Sequence, residues 1–208
     1  MKKKVLISLV MVISIFMIGC AKKEWKLIMS QNAEFLEENL QNAFNTAEAS
    51  YKDAKLTPLA LLGEQVVAGK NYMLLCESDK GYKVAVLYVD LEGNASITKV
   101  TDFDIDKYAN KDINLNNEEL VGGWTSSAPG KTVVLEDKLD KAFTKAQSEL
   151  VGVTYYPVVA FEKDDTYAII CLGRMSDLNG TTNVYVMTIN TSGEKLAIAG
   201  VDLKDFNK

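Results

Sequence analysis

The chain has 208 residues, and its 28 acidic side chains outnumber its 23 basic ones, so its formal net charge is −5. With this acidic balance nothing in the sequence suggests a nucleic-acid partner, which would need a basic stripe. Histidine is absent, which removes the commonest zinc ligand and the usual general base at neutral pH. No Ser–His–Asp or Cys–His set and no glycine-rich phosphate loop can be assembled. We therefore predict a protein without catalytic activity, cofactor or bound metal.

The N-terminus has the pattern of an export signal. Three lysines at positions 2–4 precede an apolar run over residues 5–18, which is too short to span a bilayer comfortably. The segment Met17-Ile-Gly-Cys20 resembles a bacterial lipobox, and this resemblance implies cleavage before Cys20 and attachment of lipid to it. The alternative is an ordinary cleaved signal peptide. Both interpretations predict an extracytoplasmic protein, and the first adds a lipid anchor in the cell membrane.

One sequence unit occurs twice in the rest of the chain. The pattern Leu-x-x-Ala-Phe-x-x-Ala lies at residues 40–47 and returns at residues 139–146, and a Tyr-x-x-x-Cys motif ends at Cys76 and again at Cys171. In each unit, apolar residues at helical spacing precede four strand-like runs separated by turn residues. A helix followed by an antiparallel meander must lie across one sheet face to form a core. Each unit is therefore predicted to be α+β.

The repeat divides the chain into five segments. In chain order they are a lipoprotein signal peptide (1–19), a tether (20–29), a first unit (30–103), a polar linker (104–120) and a second unit (121–208). Such a linker predicts two units that fold independently. Asp102-x-Asp104-x-Asp106 hints at a calcium loop. However, Lys107 and Ile113 stand where glycine and glutamate are needed, which favours a solvated linker.

The turn between the first two strands of unit one is apolar, with the sequence Gln65-Val66-Val67-Ala68-Gly69. The corresponding turn of unit two, Lys163-Asp164-Asp165, is short and charged. Because unit two forms without valines there, the fold does not require them. We predict that Gln65–Gly69 contacts an external partner. The alternative is that the valines pack against the other unit or the linker.

The segment Gln65–Gly69 resembles the Gln-x-Val-x-Gly binding loop of cystatins. The order of one helix and four strands is similar to that family, and Gly122-Gly123-Trp124 resembles its glycine-containing N-terminal segment. The resemblance implies two tandem cystatin-like units, each with one helix packed across a four-stranded antiparallel sheet. It also implies inhibition of papain-like cysteine proteases through these two segments. For Gly122, Gly123 and Trp124 the alternative is a flexible linker end with Trp124 anchoring a strand.

Two cysteines hold equivalent strand positions in the repeat. Cys76 and Cys171 are each predicted to be a small buried hydrophobe. The alternative is a disulfide between the units, which an extracytoplasmic compartment allows.

These features predict a lipid-anchored cell-surface protein that binds a protein partner, such as a secreted cysteine protease, through Gln65–Gly69. The alternative is a non-inhibitory structural or accessory lipoprotein that binds a wall component or an envelope partner. The exposure of Val66 and Val67 bears directly on the choice, because buried valines contact no partner.

Overall fold

Strands form most of the described chain. A computed structural model describes residues 25–30, 36–115, 124–126, 133–175 and 182–207. The strands of these residues are β1 (Lys26–Ser30), β2 (Leu56–Val67), β3 (Gly69–Ser78), β4 (Gly81–Val89), β5 (Ala95–Asp102), β6 (Trp124–Ser126), β7 (Val153–Lys163), β8 (Thr166–Met175), β9 (Thr182–Asn190) and β10 (Lys195–Val201). The helices are α1 (Glu38–Ser50), α2 (Ile105–Tyr108) and α3 (Asp137–Ser148), and a 3₁₀ turn covers Leu203–Phe206.

The strands build two five-stranded antiparallel sheets. The first sheet has the order β5-β4-β3-β2-β6 and the second has the order β1-β7-β8-β9-β10. Each sheet takes four consecutive strands from one repeat and an edge strand from the segment that precedes the helix of the other repeat. Lys26 of β1 pairs with Glu162 of β7, and Trp124 of β6 pairs with Gln65 of β2. The two repeats therefore exchange their edge strands.

The two sheets pack face to face and share one central core. Because side chains alternate between the faces of a strand, each sheet contributes one apolar face, which includes Leu62 and Met73 from the first sheet and Phe161 and Ile170 from the second. Helix α1 covers the outer face of the first sheet, and α3 covers the outer face of the second. The layers follow the order helix, sheet, sheet, helix.

The predicted fold class is wrong. The sequence predicts two tandem cystatin-like α+β units with four-stranded sheets, whereas the described chain is mostly strand and its two five-stranded sheets share a core. The physical reason is that both faces of each sheet are apolar, so a helix on one face leaves the other face to be covered. The strand exchange argues against independent folding, while the boundaries at 30–103 and 121–208 remain a prediction.

The described part of the predicted linker, residues 104–115, is packed in part, with apolar residues buried between exposed polar ones. Ile105 and Tyr108 are buried in the central core. Ile113 forms a parallel bridge with Ala199 of β10, which ties the linker to the edge of the second sheet. The predicted tether also differs, because its residues 26–29 lie in β1. The linker looks polar in sequence, yet its α2 contributes side chains to the central core. The tether looks short, yet it supplies an edge strand.

Candidate functional site

The turn between β2 and β3, residues Gln65–Gly69, is an exposed apolar tip, which we call the first tip. Val67 pairs with Gly69, so that Ala68 alone turns the chain. The side chain of Val66 is 77% exposed and that of Val67 is 43% exposed. Both valines are exposed, which argues against the alternative that they are buried against the other repeat or the linker.

Several contacts fix the shape of the first tip. Gly69 has φ +117°, and a Cβ atom there would overlap the carbonyl oxygen of Val89, so the position requires glycine. The Tyr88 hydroxyl donates a hydrogen bond to the Ala68 carbonyl. At the base of the tip, the Asn71 side-chain amide donates to Gln65 Oε1 at 2.7 Å. The valines thus project from a braced hairpin.

The second predicted segment lies beside the first tip. Strand β6 begins at Trp124, which pairs with Gln65, and its next two residues pair with Glu64 and Gly63. The structure therefore brings Trp124 to the base of the first tip although the two are far apart in the chain. Gly122 and Gly123 lie outside the described residues. Whether these residues bind a partner stays a prediction.

A further apolar residue at this end was missed by sequence reasoning. Leu91, in the turn between β4 and β5, is 85% exposed. The turn lies next to the first tip, because Lys70 of β3 pairs with Val89 at the end of β4. An apolar residue between Asp90 and Gly93 in a polar turn was the available signal.

The turn that carries Leu91 is held by one carboxylate. Asp90 Oδ1 accepts hydrogen bonds from the backbone N–H groups of Glu92 at 3.0 Å and Asn94 at 2.7 Å, and Oδ2 accepts from the Asn94 amide at 2.8 Å. The side-chain bond from Asn94 is the largest cause that lowers the pKa of Asp90. Leu91 is therefore presented by a turn with defined geometry.

The equivalent hairpin of the second repeat, the second tip, consists of residues Lys163–Thr166 and is charged. The Lys163 ammonium donates to Asp106 Oδ1 at 2.9 Å and lies 5.3 Å from the centre of the Trp25 ring. The Trp25 indole N–H donates to the same Asp106 oxygen at 2.8 Å. The Lys163 ammonium of the second tip is therefore held by contacts within the protein, with Trp25 before β1 and Asp106 of α2.

The two cysteines of the repeat are free and buried, as the simpler interpretation predicts. Cys76 packs under α1 and Cys171 packs under α3, on opposite outer faces of the two sheets. A disulfide between them is therefore excluded. Burial raises the pKa of Cys76 to about 12 and also raises the pKa of Cys171. Cys20, the predicted lipidation site, lies outside the described residues.

The three aspartates that hint at calcium have other roles. Asp102 forms an ion pair with Lys83, Asp104 accepts a hydrogen bond from the Asp106 backbone at the start of α2, and Asp106 binds Trp25. Within the described ranges, no group of three potential ligand residues could hold a metal ion.

No described helix is long and apolar enough to cross a membrane.

Comparison with known proteins gives no match to a family model, to a curated protein or to a solved structure. The resemblance to cystatins therefore stays a prediction from the sequence of Gln65–Gly69 and of Gly122-Gly123-Trp124.

Proposed function

We propose that the protein is a lipid-anchored extracytoplasmic binding protein, and that the first tip enters a cleft of a protein partner. The observation that carries this proposal is that Val66 and Val67 are exposed on a braced hairpin, whereas the equivalent hairpin is charged. Exposed apolar side chains that lie next to one another, as at the first tip and Leu91, are typical of contact surfaces. The Gln-x-Val-x-Gly resemblance makes papain-like cysteine proteases the first partner class to test.

The size of the tip sets the expected affinity. Burying Val66, Val67 and Leu91 contributes roughly 1.5–3 kcal/mol each, which is about 5–9 kcal/mol in total. A nanomolar complex needs about 12 kcal/mol after association costs of several kcal/mol more. Once those association costs are subtracted, the three side chains alone support only weak binding, with a dissociation constant in the high micromolar range or above. Tighter binding requires that the segment at Trp124 also joins the interface.

The binding test is a titration of a papain-like protease with residues 21–208. We expect weak inhibition by the parent protein and none by the variant Val66→Ser/Val67→Ser. The matched control is Val134→Ser, because Val134 is 86% exposed but precedes α3 in the other repeat. This control should inhibit like the parent. Absence of inhibition by the parent at high micromolar concentration would remove this protease class, and equal inhibition by all three proteins would remove the first tip as the contact.

The anchoring half of the proposal is supported by Gly19-Cys20 after the apolar run. We expect Cys20→Ala to release the protein to the medium or to leave an uncleaved precursor, because lipid is attached through this residue. Membrane fractionation and the mass of the N-terminal peptide measure both outcomes. A Cys20→Ala variant that is processed and membrane-bound like the parent would show that the lipobox interpretation is wrong.

A further inference from the structure

We infer that the anchored protein holds the first tip away from the bilayer, so that its partner is a water-soluble protein arriving from outside and not the lipid surface. This inference rests on the proposed anchoring at Cys20. It deepens the proposed function by specifying the kind of partner. The exposed side chains of Val66, Val67 and Leu91 have the chemistry to contact either a protein or a lipid surface. The position of Trp25 decides between these two occupants of the same surface.

The polypeptide enters the folded body at a fixed point. The indole N–H of Trp25 donates to Asp106 at 2.8 Å, and the Trp25 carbonyl accepts from the Tyr82 hydroxyl at 3.4 Å. The next strand is held too, because the Leu27 backbone N–H donates to the same hydroxyl at 3.0 Å. Trp25 is therefore the point from which any tether to Cys20 begins.

This point lies at the end of the first sheet that is remote from the first tip. Tyr82 stands at the start of β4 and pairs with Glu77 near the end of β3. The first tip lies at the other end of β3, at Gly69, and β3 has 10 residues. At about 3.4 Å per residue, roughly 30 Å separates the two ends. The tether and the first tip thus leave the molecule at opposite ends.

The tether is short compared with this distance. Five residue steps join Cys20 to Trp25, and a fully extended chain of that length reaches at most about 18 Å. The Trp25 end must therefore stay close to the lipid headgroups. Removal of residues 1–19 takes away three lysines and no acidic residue, so the mature chain is more acidic than the precursor. An acidic body gains no electrostatic energy by lying flat on an anionic leaflet.

The chain carries its own probes for the test. Its two tryptophans are Trp25 and Trp124, the first at the tether end and the second paired with Gln65 at the base of the first tip. Trp124→Phe leaves Trp25 as the sole energy donor, and Trp25→Phe leaves Trp124. The lipidated variants are placed in vesicles of phosphatidylcholine and phosphatidylglycerol that contain dansyl-phosphatidylethanolamine as the acceptor. Steady-state and lifetime fluorescence measure the transfer efficiency.

We expect transfer from Trp25 to be several-fold more efficient than transfer from Trp124. Equal efficiencies, which indicate a body lying flat, would overturn the inference, as would stronger transfer from Trp124, which indicates insertion of the tip. If Trp25→Phe fails to fold, a fluorophore on Val67→Cys of the lipidated chain reports the same distance. Cys76 and Cys171 do not compete for the label because both are buried.

Failure of the anchoring proposal gives a different result. Vesicle flotation shows directly whether the purified chain carries its own lipid. If it does not float, residues 20–208 are coupled through Cys20 to a maleimide lipid, and the Trp25 and Trp124 efficiencies are compared again. The geometric inference then stands or falls on that comparison even though the native anchor is absent.

Discussion

The first tip and the second tip occupy the same place in the repeated sequence but have opposite surroundings. The second tip turns through Asp164 and Asp165, and its Lys163 is held by Asp106 beside β1. The first tip turns through Ala68 and presents Val66 to solvent. The charged hairpin of the second repeat thus forms contacts within the protein, whereas the apolar hairpin of the first repeat is exposed to solvent.

The two repeats share the residues that pack in the core and shape the turns, and they differ in the residues that are exposed at the hairpin tip. Each repeat buries one cysteine under its helix. Each also builds the turn before its last strand on one side chain, since Asn190 Oδ1 accepts from the backbone N–H groups of Ser192 and Glu194 as Asp90 accepts from its own turn. The valines of the first tip have no such counterpart. Their presence therefore reflects a requirement outside the fold.

The largest expected effect tests whether the repeats are separable. Residues 121–208 alone lack β1 and expose the face of the second sheet that carries Phe161 and Ile170. We expect this fragment to show no cooperative unfolding transition, whereas residues 25–208 unfold cooperatively. Urea titration followed by circular dichroism measures both proteins. A fragment with a sharp transition at a similar midpoint would mean that the exchanged strand and the shared core are dispensable.

An intermediate effect separates two glycines in equivalent turns. Gly93 and Gly193 both have positive φ, but a Cβ atom at Gly93 meets nothing within 4 Å, whereas one at Gly193 would lie 2.8 Å from the Ala142 carbonyl oxygen. Both alanine variants carry the cost of a left-handed residue, of order 1 kcal/mol. We expect Gly193→Ala to lower the free energy of unfolding by about 1–3 kcal/mol more, because overpacking adds to that cost.

Denaturant unfolding of the two glycine variants gives the comparison directly. Equal losses of stability would show that the second turn does not rest on α3 as tightly as the distance to Ala142 indicates.

The smallest expected effect concerns the contribution of Asp90 to the pH dependence of the free energy of unfolding. Hydrogen bonds lower the pKa of Asp90 from its usual value near 3.8, so the stability that Asp90 contributes is present above that value and is lost as pH falls through the lowered pKa. We expect Asp90→Asn, which places the side chain of Asn190 in the first turn, to lower the stability at pH 7 slightly, because the neutral amide lacks the contribution of the ionised carboxylate, and to reduce the loss of stability in acid. Unfolding free energies at pH 7 and near pH 3 measure this. A variant with the parent's full pH dependence would contradict it.

Sequence reasoning succeeded where the signal is local. The helical spacing at 40–47 and at 139–146 lies within α1 and α3, and the paired strands from Leu56 onward follow the apolar runs between turn residues. The burial of Cys76 and Cys171 follows from their equivalent positions on strands of the repeat, and the exposed valines follow from comparing the two hairpins.

The failures concern contacts between distant segments. Strands β1 and β6 have 5 and 3 residues, too few for a periodic pattern, and each pairs with a strand remote in the sequence. The face-to-face packing of the sheets was missed because a strand that is apolar on both sides can be covered by a helix or by a second sheet. Leu91 was missed for another reason, because one apolar residue in a turn has no pattern.

The exchanged edge strand also bears on the order of folding. β1 is synthesised before the other strands of the described residues, yet its partner β7 lies in the last third of the chain. The hairpins of β7–β10 join neighbours in sequence and close over short loops, whereas docking of β1 closes a loop of more than a hundred residues and is entropically costly. We expect β1 to dock last. Until it does, β7 presents an open strand edge, which makes a nearly complete chain the species most prone to aggregate.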